Sequence, residues 1–144
     1  VFEDFSNIPE QTIILAGDTL VLLDGKILGK PKDIEEARTM IQHLSGKTHQ
    51  VSTAYAILDG FNGEELVGLV STQVTFRDLD DNLVEWYLGL GEGLDKAGAY
   101  SIQGYGTYLV KGIEGSYNNV VGFPIEQVME ILLKKDWISL SSKN

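Results

Sequence analysis

Residues 12–46 read TIILAGDTLVLLDGKILGKPKDIEEARTMIQHLSG, and this stretch decides the fold class. Thr12 to Ala16 is a short apolar run with β-branched residues, ends at Gly17 and reads as a buried strand. A second run, Leu20 to Leu23, leads into Asp24-Gly25, a strong two-residue hairpin signal. Ile27-Leu28 begins the return strand, which stops at Gly29-Lys30-Pro31. The hydrophobic period then changes. Asp33 is a good N-cap, and Glu36 three residues later completes a capping-box pattern. Ile34, Ala37, Met40, Ile41 and Leu44 form one apolar stripe at helical spacing. Ser45-Gly46 ends the helix, with Gly46 suited to a left-handed C-cap.

Downstream, two strands are predicted, His49 to Leu58 and Glu65 to Phe76, separated by the turn-rich residues 59–63. Val51, Thr53, Tyr55 and Ile57 share one face of the first. Asp80 caps a second helix through Leu88, with Leu83, Val84 and Tyr87 inward. A stretch with six glycines, Gly89 to Gly106, follows and is too mixed in composition to be a spacer. Thr107 to Ile113 is predicted as a further strand. Pro124 opens a last helix running to about Lys135, with Val128, Ile131 and Leu132 inward. Strands and helices interleave, with hairpins as well as crossovers. The expected class is α/β, a mixed twisted sheet flanked by helices, in a single domain over residues 1–144.

Bulk properties exclude several functions. The 144 residues suit one domain, and 43% hydrophobic content is that of a globular chain. No apolar run approaches the roughly 20 residues of a membrane helix. Residues 1–7 carry two acids and no base, unlike a signal peptide, and the lack of cysteine is compatible with cytoplasm. The absence of cysteine excludes disulfides, thiolate zinc sites and a cysteine nucleophile. A net charge of −10 argues against nucleic acid or an anionic membrane as partner. An anionic substrate would need positive charge concentrated locally.

Four places carry residues suited to chemistry. Asp18, after a strand, is either a carboxylate presented to a cleft, able to hold a metal or deprotonate water, or a turn cap. Lys30, between Gly29 and Pro31, is either a pinned ammonium suited to a phosphate oxygen or a solvated lysine before a helix. Residues 95–104 place Asp95, Lys96 and Gln103 in one glycine-punctuated loop. Backbone N–H groups there can form an anion nest, and the Gln103 amide can read the edge of a base. Glu114 to Asn119 is polar and reads as a loop. His43 and His49 lack a third ligand at metal-like spacing and read as structural or surface residues. Trp86 and Trp137 read as helix packing residues. No Gly-x-Ser-x-Gly elbow, dinucleotide fingerprint or Walker pattern occurs.

In order, Ala16-Gly-Asp-Thr19, Leu28-Gly-Lys-Pro31, Leu44-Ser-Gly-Lys-Thr-His49, Val74-Thr-Phe-Arg77, the run from Gly91 to Tyr100, Ile102-Gln-Gly104 and Val120-Val-Gly-Phe-Pro124 resemble the Maf family. The resemblance spans about Ile13 to the last helix. It implies the α/β architecture of inosine triphosphate pyrophosphatases, two lobes flanking a cleft, and commonly homodimers. It also implies hydrolysis of nucleoside triphosphates between the α and β phosphates, dependent on Mg²⁺ or Mn²⁺, and a link to septum formation and arrest of cell division. Asp18 matches the family's proton acceptor and metal-associated acid, and Lys30 a phosphate-contacting lysine. Thr19 and Gln103 match the substrate-choice positions of the dTTP/UTP branch rather than the branch acting on 7-methyl-GTP. Asp95 and Lys96 are placed in the same site. The resemblance further implies a preceding strand, a Ser-x-Ser-Pro-Arg-Arg-like phosphate loop, a helix and another acid, so the chain is expected to be N-terminally incomplete. Its only arginines are Arg38 and Arg77.

Overall fold

The computed structural model describes residues 12–140; the reading of residues 1–7 lies outside them. Their frame is a five-stranded sheet in the order β2-β1-β3-β4-β5. The strands are β1 (Ile13–Leu23), β2 (Lys26–Leu28), β3 (Thr48–Asp59), β4 (Glu65–Phe76) and β5 (Val110–Glu114). The helices are α1 (Ile34–Leu44), α2 (Asp81–Leu90), α3 (Tyr117–Val121) and α4 (Ile125–Lys134). Among the described residues no helix is long and apolar enough to cross a membrane.

The α/β class holds, flanking helices included. Every hydrogen-bonded strand pair described is antiparallel, so the parallel pairing of a mixed sheet is not among them. The expected crossover takes another form. Both β2 and β3 run antiparallel to β1 from its two sides, so they point the same way, and α1 carries the chain across β1 between them.

The two strands expected around Gly17 are one. β1 pairs with β3 without a break from Ile13↔Asp59 to Leu22↔Gln50, passing through Gly17, Asp18 and Thr19. The long partner strand supplies hydrogen bonds that outweigh the local turn tendency of Gly-Asp-Thr. Gly17 fits because Phe123 approaches it; a Cβ there would lie 2.9 Å from the Phe123 ring. Nor is this part of β1 buried, since residues 15–18 are exposed.

Helix ends follow the sequence closely. The Asp33 carboxylate accepts from the Glu36 N–H at 2.8 Å, and the Asp80 carboxylate from the Leu83 N–H at 2.8 Å. Gly46 takes φ +69° and donates its N–H to Arg77 O at 2.9 Å. The strand expected from Thr107 begins at Val110, because residues 104–109 form a tight 3₁₀ turn. Glu92 holds that turn by accepting from the N–H groups of Tyr105 at 3.1 Å and Gly106 at 3.2 Å. The loop expected over Glu114 to Asn119 is shorter: Glu114 ends β5 and residues 117–121 are helical, with Ser116 as N-cap. Trp86 sits on α2 at 44% exposure, edge-on to Tyr105, and Trp137 lies past the end of α4.

One face of the sheet carries the core in two parts. At one end Val21, Leu23, Val51, Val74 and Phe76 pack against Ala37, Ile41 and Leu44 of α1 and Val84 and Tyr87 of α2. At the other, Ile57 packs with Val128 and Leu132 of α4. Between them the same alternating face holds Thr19, Thr53 and Thr72. The apolar face is thus interrupted by a polar band, and the cavity lies at that band.

Candidate active site

A cavity of about 550 Å³ opens at this interruption. Its wall brings together Asp18 and Thr19 from β1, Lys30 from the β2–α1 connection, and Asp95, Lys96 and Gln103 from the glycine-rich loop. The six residues matched to the family's site therefore line one space, though they lie far apart along the chain.

Asp18 is in mid-strand, not at a strand end. Consecutive strand residues point to opposite faces, so Asp18, next to the inward Thr19, stands with Ala54 and Leu69 on the outer face of the sheet. It borders the cavity and also a shallow apolar hollow on the outer face with Ala16, Ala54, Ala56, Val67 and Leu69.

Lys30 is positioned by the loop opposite. The Gly98 N–H donates to Gly29 O at 3.0 Å, tying the loop's backbone to the residue before the lysine. Gly98 takes φ +73° with Val21 beneath it, a Cβ there lying 3.1 Å from a Val21 methyl. Lys96 Nζ lies 3.0 Å from Asp95 Oδ2. That hydrogen bond, with a smaller contribution from Lys30, holds the Asp95 carboxyl below its usual range.

The glycine-rich loop presents Gln103 through a short alternation that the sequence reading missed. Tyr100 and Ile102 are buried, while Ser101 is half-buried and Gln103 exposed at the cavity. The buried members are anchored. Tyr100 Oη is 2.7 Å from His49 Nε2, and Tyr87 Oη accepts from the Ser101 N–H at 3.0 Å. His49 is structural, as expected; burial pushes its pKa down to about 4, so it is neutral at pH 7.

Sequence reasoning also missed the polar band behind Thr19. Thr19 Oγ1 is 2.8 Å from Thr53 Oγ1 and 3.3 Å from Gly122 O. Asn119, fully buried, donates Nδ2 to Val51 O at 3.0 Å and to Thr72 Oγ1 at 2.9 Å, fastening α3 to β3 and β4. The only signal for this in the sequence was Thr53 on an otherwise apolar strand face.

The charged residues lining the cavity are Asp18, Asp95, Lys30 and Lys96, two of each sign, so their formal charges cancel. Neither arginine lines it. Arg38 forms a bidentate pair with Glu85, joining α1 to α2, and Arg77 lies over the Tyr108 ring at 5.2 Å. Among the described residues no three His, Asp or Glu side chains form a metal-holding group. Of the two lining carboxylates, that of Asp18 is the one not paired with a lysine of the cavity. That donor set fits a Mg²⁺-like ion, which needs one or two carboxylates when phosphates and water complete its shell.

Fold and site together define an α/β protein with a polar cavity, walled by acid, lysine and amide side chains, between two apolar clusters. The family model described as "Maf-like protein" matches residues 2–135, and the chain belongs to the Maf family. It is 54% identical over 124 residues to the dTTP/UTP pyrophosphatase of Pyrococcus furiosus, covering 86% of this chain and 64% of that protein. With the dTTP/UTP pyrophosphatase of Pyrococcus abyssi it shares 50% over 127 residues, 88% of this chain and 66% of that one. The enzyme of that name from Fusobacterium nucleatum is 50% identical over 131 residues, 90% and 68% respectively. The chain spans a little under two thirds of the two Pyrococcus relatives.

Proposed function

We propose that this chain carries the substrate cavity of a nucleoside triphosphate pyrophosphatase acting on dTTP and UTP. The observation that carries the proposal is the convergence of Asp18, Lys30 and Gln103 on one cavity in a chain about half identical to relatives named for that activity. Water attacks the α-phosphorus and gives its proton to the Asp18 carboxylate. The bond from the α-phosphorus to the oxygen bridging to the β-phosphorus breaks, giving nucleoside monophosphate and pyrophosphate. Lys30, with Lys96 beside it, neutralises charge on the phosphate oxygens. Gln103 and Thr19 contact the base. Mg²⁺ or Mn²⁺ held by Asp18 and the phosphates would supply further charge neutralisation. The cancelled charge of the cavity wall supports that requirement, because a triphosphate brings about four negative charges.

A second reading, a nucleotide-binding or cell-division regulatory module without turnover, draws on the same observation of charge. Both arginines are engaged away from the cavity, leaving two lysines there.

The test compares this chain with the Pyrococcus furiosus relative, each incubated with dTTP and Mg²⁺, with products identified by phosphorus NMR. Monophosphate and pyrophosphate from this chain, reduced at least about 100-fold by Asp18→Asn, is the expected result. Binding of dTTP without product from this chain, alongside turnover by the relative, favours the second reading. Diphosphate and orthophosphate as products would overturn α–β cleavage.

A further inference from the structure

We propose that Thr53, a residue that does not line the cavity, fixes Thr19 as a hydrogen-bond acceptor and so makes the site select uracil-type over cytosine-type bases. The inference deepens the proposed function and rests on it. The argument is a count of protons. Thr19 and Thr53 hold one hydroxyl proton each, and their oxygens are 2.8 Å apart. Thr53 reaches Asn119 O at 3.2 Å and Thr19 reaches Gly122 O at 3.3 Å. Two arrangements use the short bond and a carbonyl. Either Thr19 donates to Thr53 and Thr53 to Asn119 O, or Thr53 donates to Thr19 and Thr19 to Gly122 O. In both, the Thr19 proton is spent inside the protein, and a lone pair is what Thr19 shows the cavity.

The lock is dry and rigid. Thr53 and Asn119 are both fully buried, so no bulk water competes for the hydroxyl. The two carbonyls belong to α3 and its C-terminal cap, which the Asn119 side chain fastens to the sheet through Val51 O and Thr72 Oγ1.

The chemistry of the bases gives this a consequence. Uracil and thymine carry a donor N–H at N3, whereas cytosine carries a lone pair there. The Gln103 amide presents a donor and an acceptor and, by turning over, matches either pattern, so by itself it does not choose. An acceptor-only Thr19 meets the uracil N3–H and opposes the cytosine lone pair, and an unmatched polar group in a cavity is what gives strong discrimination.

The test measures the affinity of this chain for UTP and CTP, with Mg²⁺ present, by calorimetry. Thr53→Val keeps the shape and removes the hydroxyl; Thr53→Ser keeps it. The expected result is a UTP preference in the unaltered chain that falls about tenfold in Thr53→Val and returns in Thr53→Ser. Should Thr53→Val not fold, Thr53→Cys, a weak donor and acceptor of similar size, is expected to lose the preference instead. A Thr53→Val chain with lowered melting temperature but an unchanged UTP-to-CTP ratio would show a structural role only and overturn the proposal. Equal binding of UTP and CTP by the unaltered chain would overturn it too, while leaving the pyrophosphatase reading to its own product test. Binding of neither nucleotide would remove the pyrophosphatase reading and this inference with it.

Discussion

His49 shows how a residue of chemical interest can be spent on structure. It sits 2% exposed at the edge-on meeting of its ring with Phe76 and Tyr100, and burial lowers its pKa to about 4. The unfolded chain takes up a proton near the ordinary histidine value of about 6.5, which the folded chain refuses until about pH 4. Stability therefore falls as pH drops through that window, by at most about 1.4 kcal/mol per pH unit from this group. Urea melts between pH 4 and 7 are expected to show this slope, and His49→Gln to flatten it. At Asp18 the expected setting was corrected. An aspartate after a glycine suggests a strand end, yet ten cross-strand partners in β3 carry β1 straight through it.

Among the elements, helices were the most legible because their signals are local. Asp33 caps one 11-residue helix that holds Glu36 and the stripe at 34, 37, 40, 41 and 44, of which all but the exposed Ile34 are buried. The Asp80 cap of α2 is equally local, and Asp80→Ala is expected to cost about 1 kcal/mol, read as a lower thermal midpoint. Strands were less legible, since their partners lie far away in sequence. Gly68 in β4 illustrates this. It faces Tyr55 across the ladder, and a side chain at 68 would overlap the Tyr55 ring. Gly68→Ala is expected to destabilise by about 1–3 kcal/mol, measured by denaturant unfolding. A Gly68→Ala, Tyr55→Ala double variant should recover part of that loss relative to Tyr55→Ala alone. The alternation of Tyr100, Ser101, Ile102 and Gln103 escaped the sequence reading because the surrounding glycines hid a four-residue extended segment.

At the scale of the molecule, charge sets the terms of ligand binding. A chain of net charge −10, with a cavity wall whose charges cancel, repels a triphosphate at long range. Affinity for dTTP is accordingly expected to drop at least about tenfold when EDTA replaces Mg²⁺, with calorimetry as the readout. The two apolar clusters make a second global expectation. Ile57 is fully buried in the smaller one, against Val128 and Leu132, and Ile57→Ala is expected to cost about 2–5 kcal/mol.

The sequence by itself determined the helices at 34–44, 81–90 and 125–134, the Asp24-Gly25 hairpin and the α/β class, and it singled out six of the residues that line the cavity, because caps, turns and motifs are each written within a few positions. Only the tertiary structure decided that β1 is a single strand, that Tyr117 to Val121 closes into a helix anchored by Asn119, and that Thr19 and Thr53 stand opposite each other with Thr72 on the same face. The reason is range. Those outcomes depend on which residues stand opposite each other across a ladder or a helix–sheet contact, and partners such as Thr53 and Asn119 are 66 positions apart, beyond the reach of any local pattern.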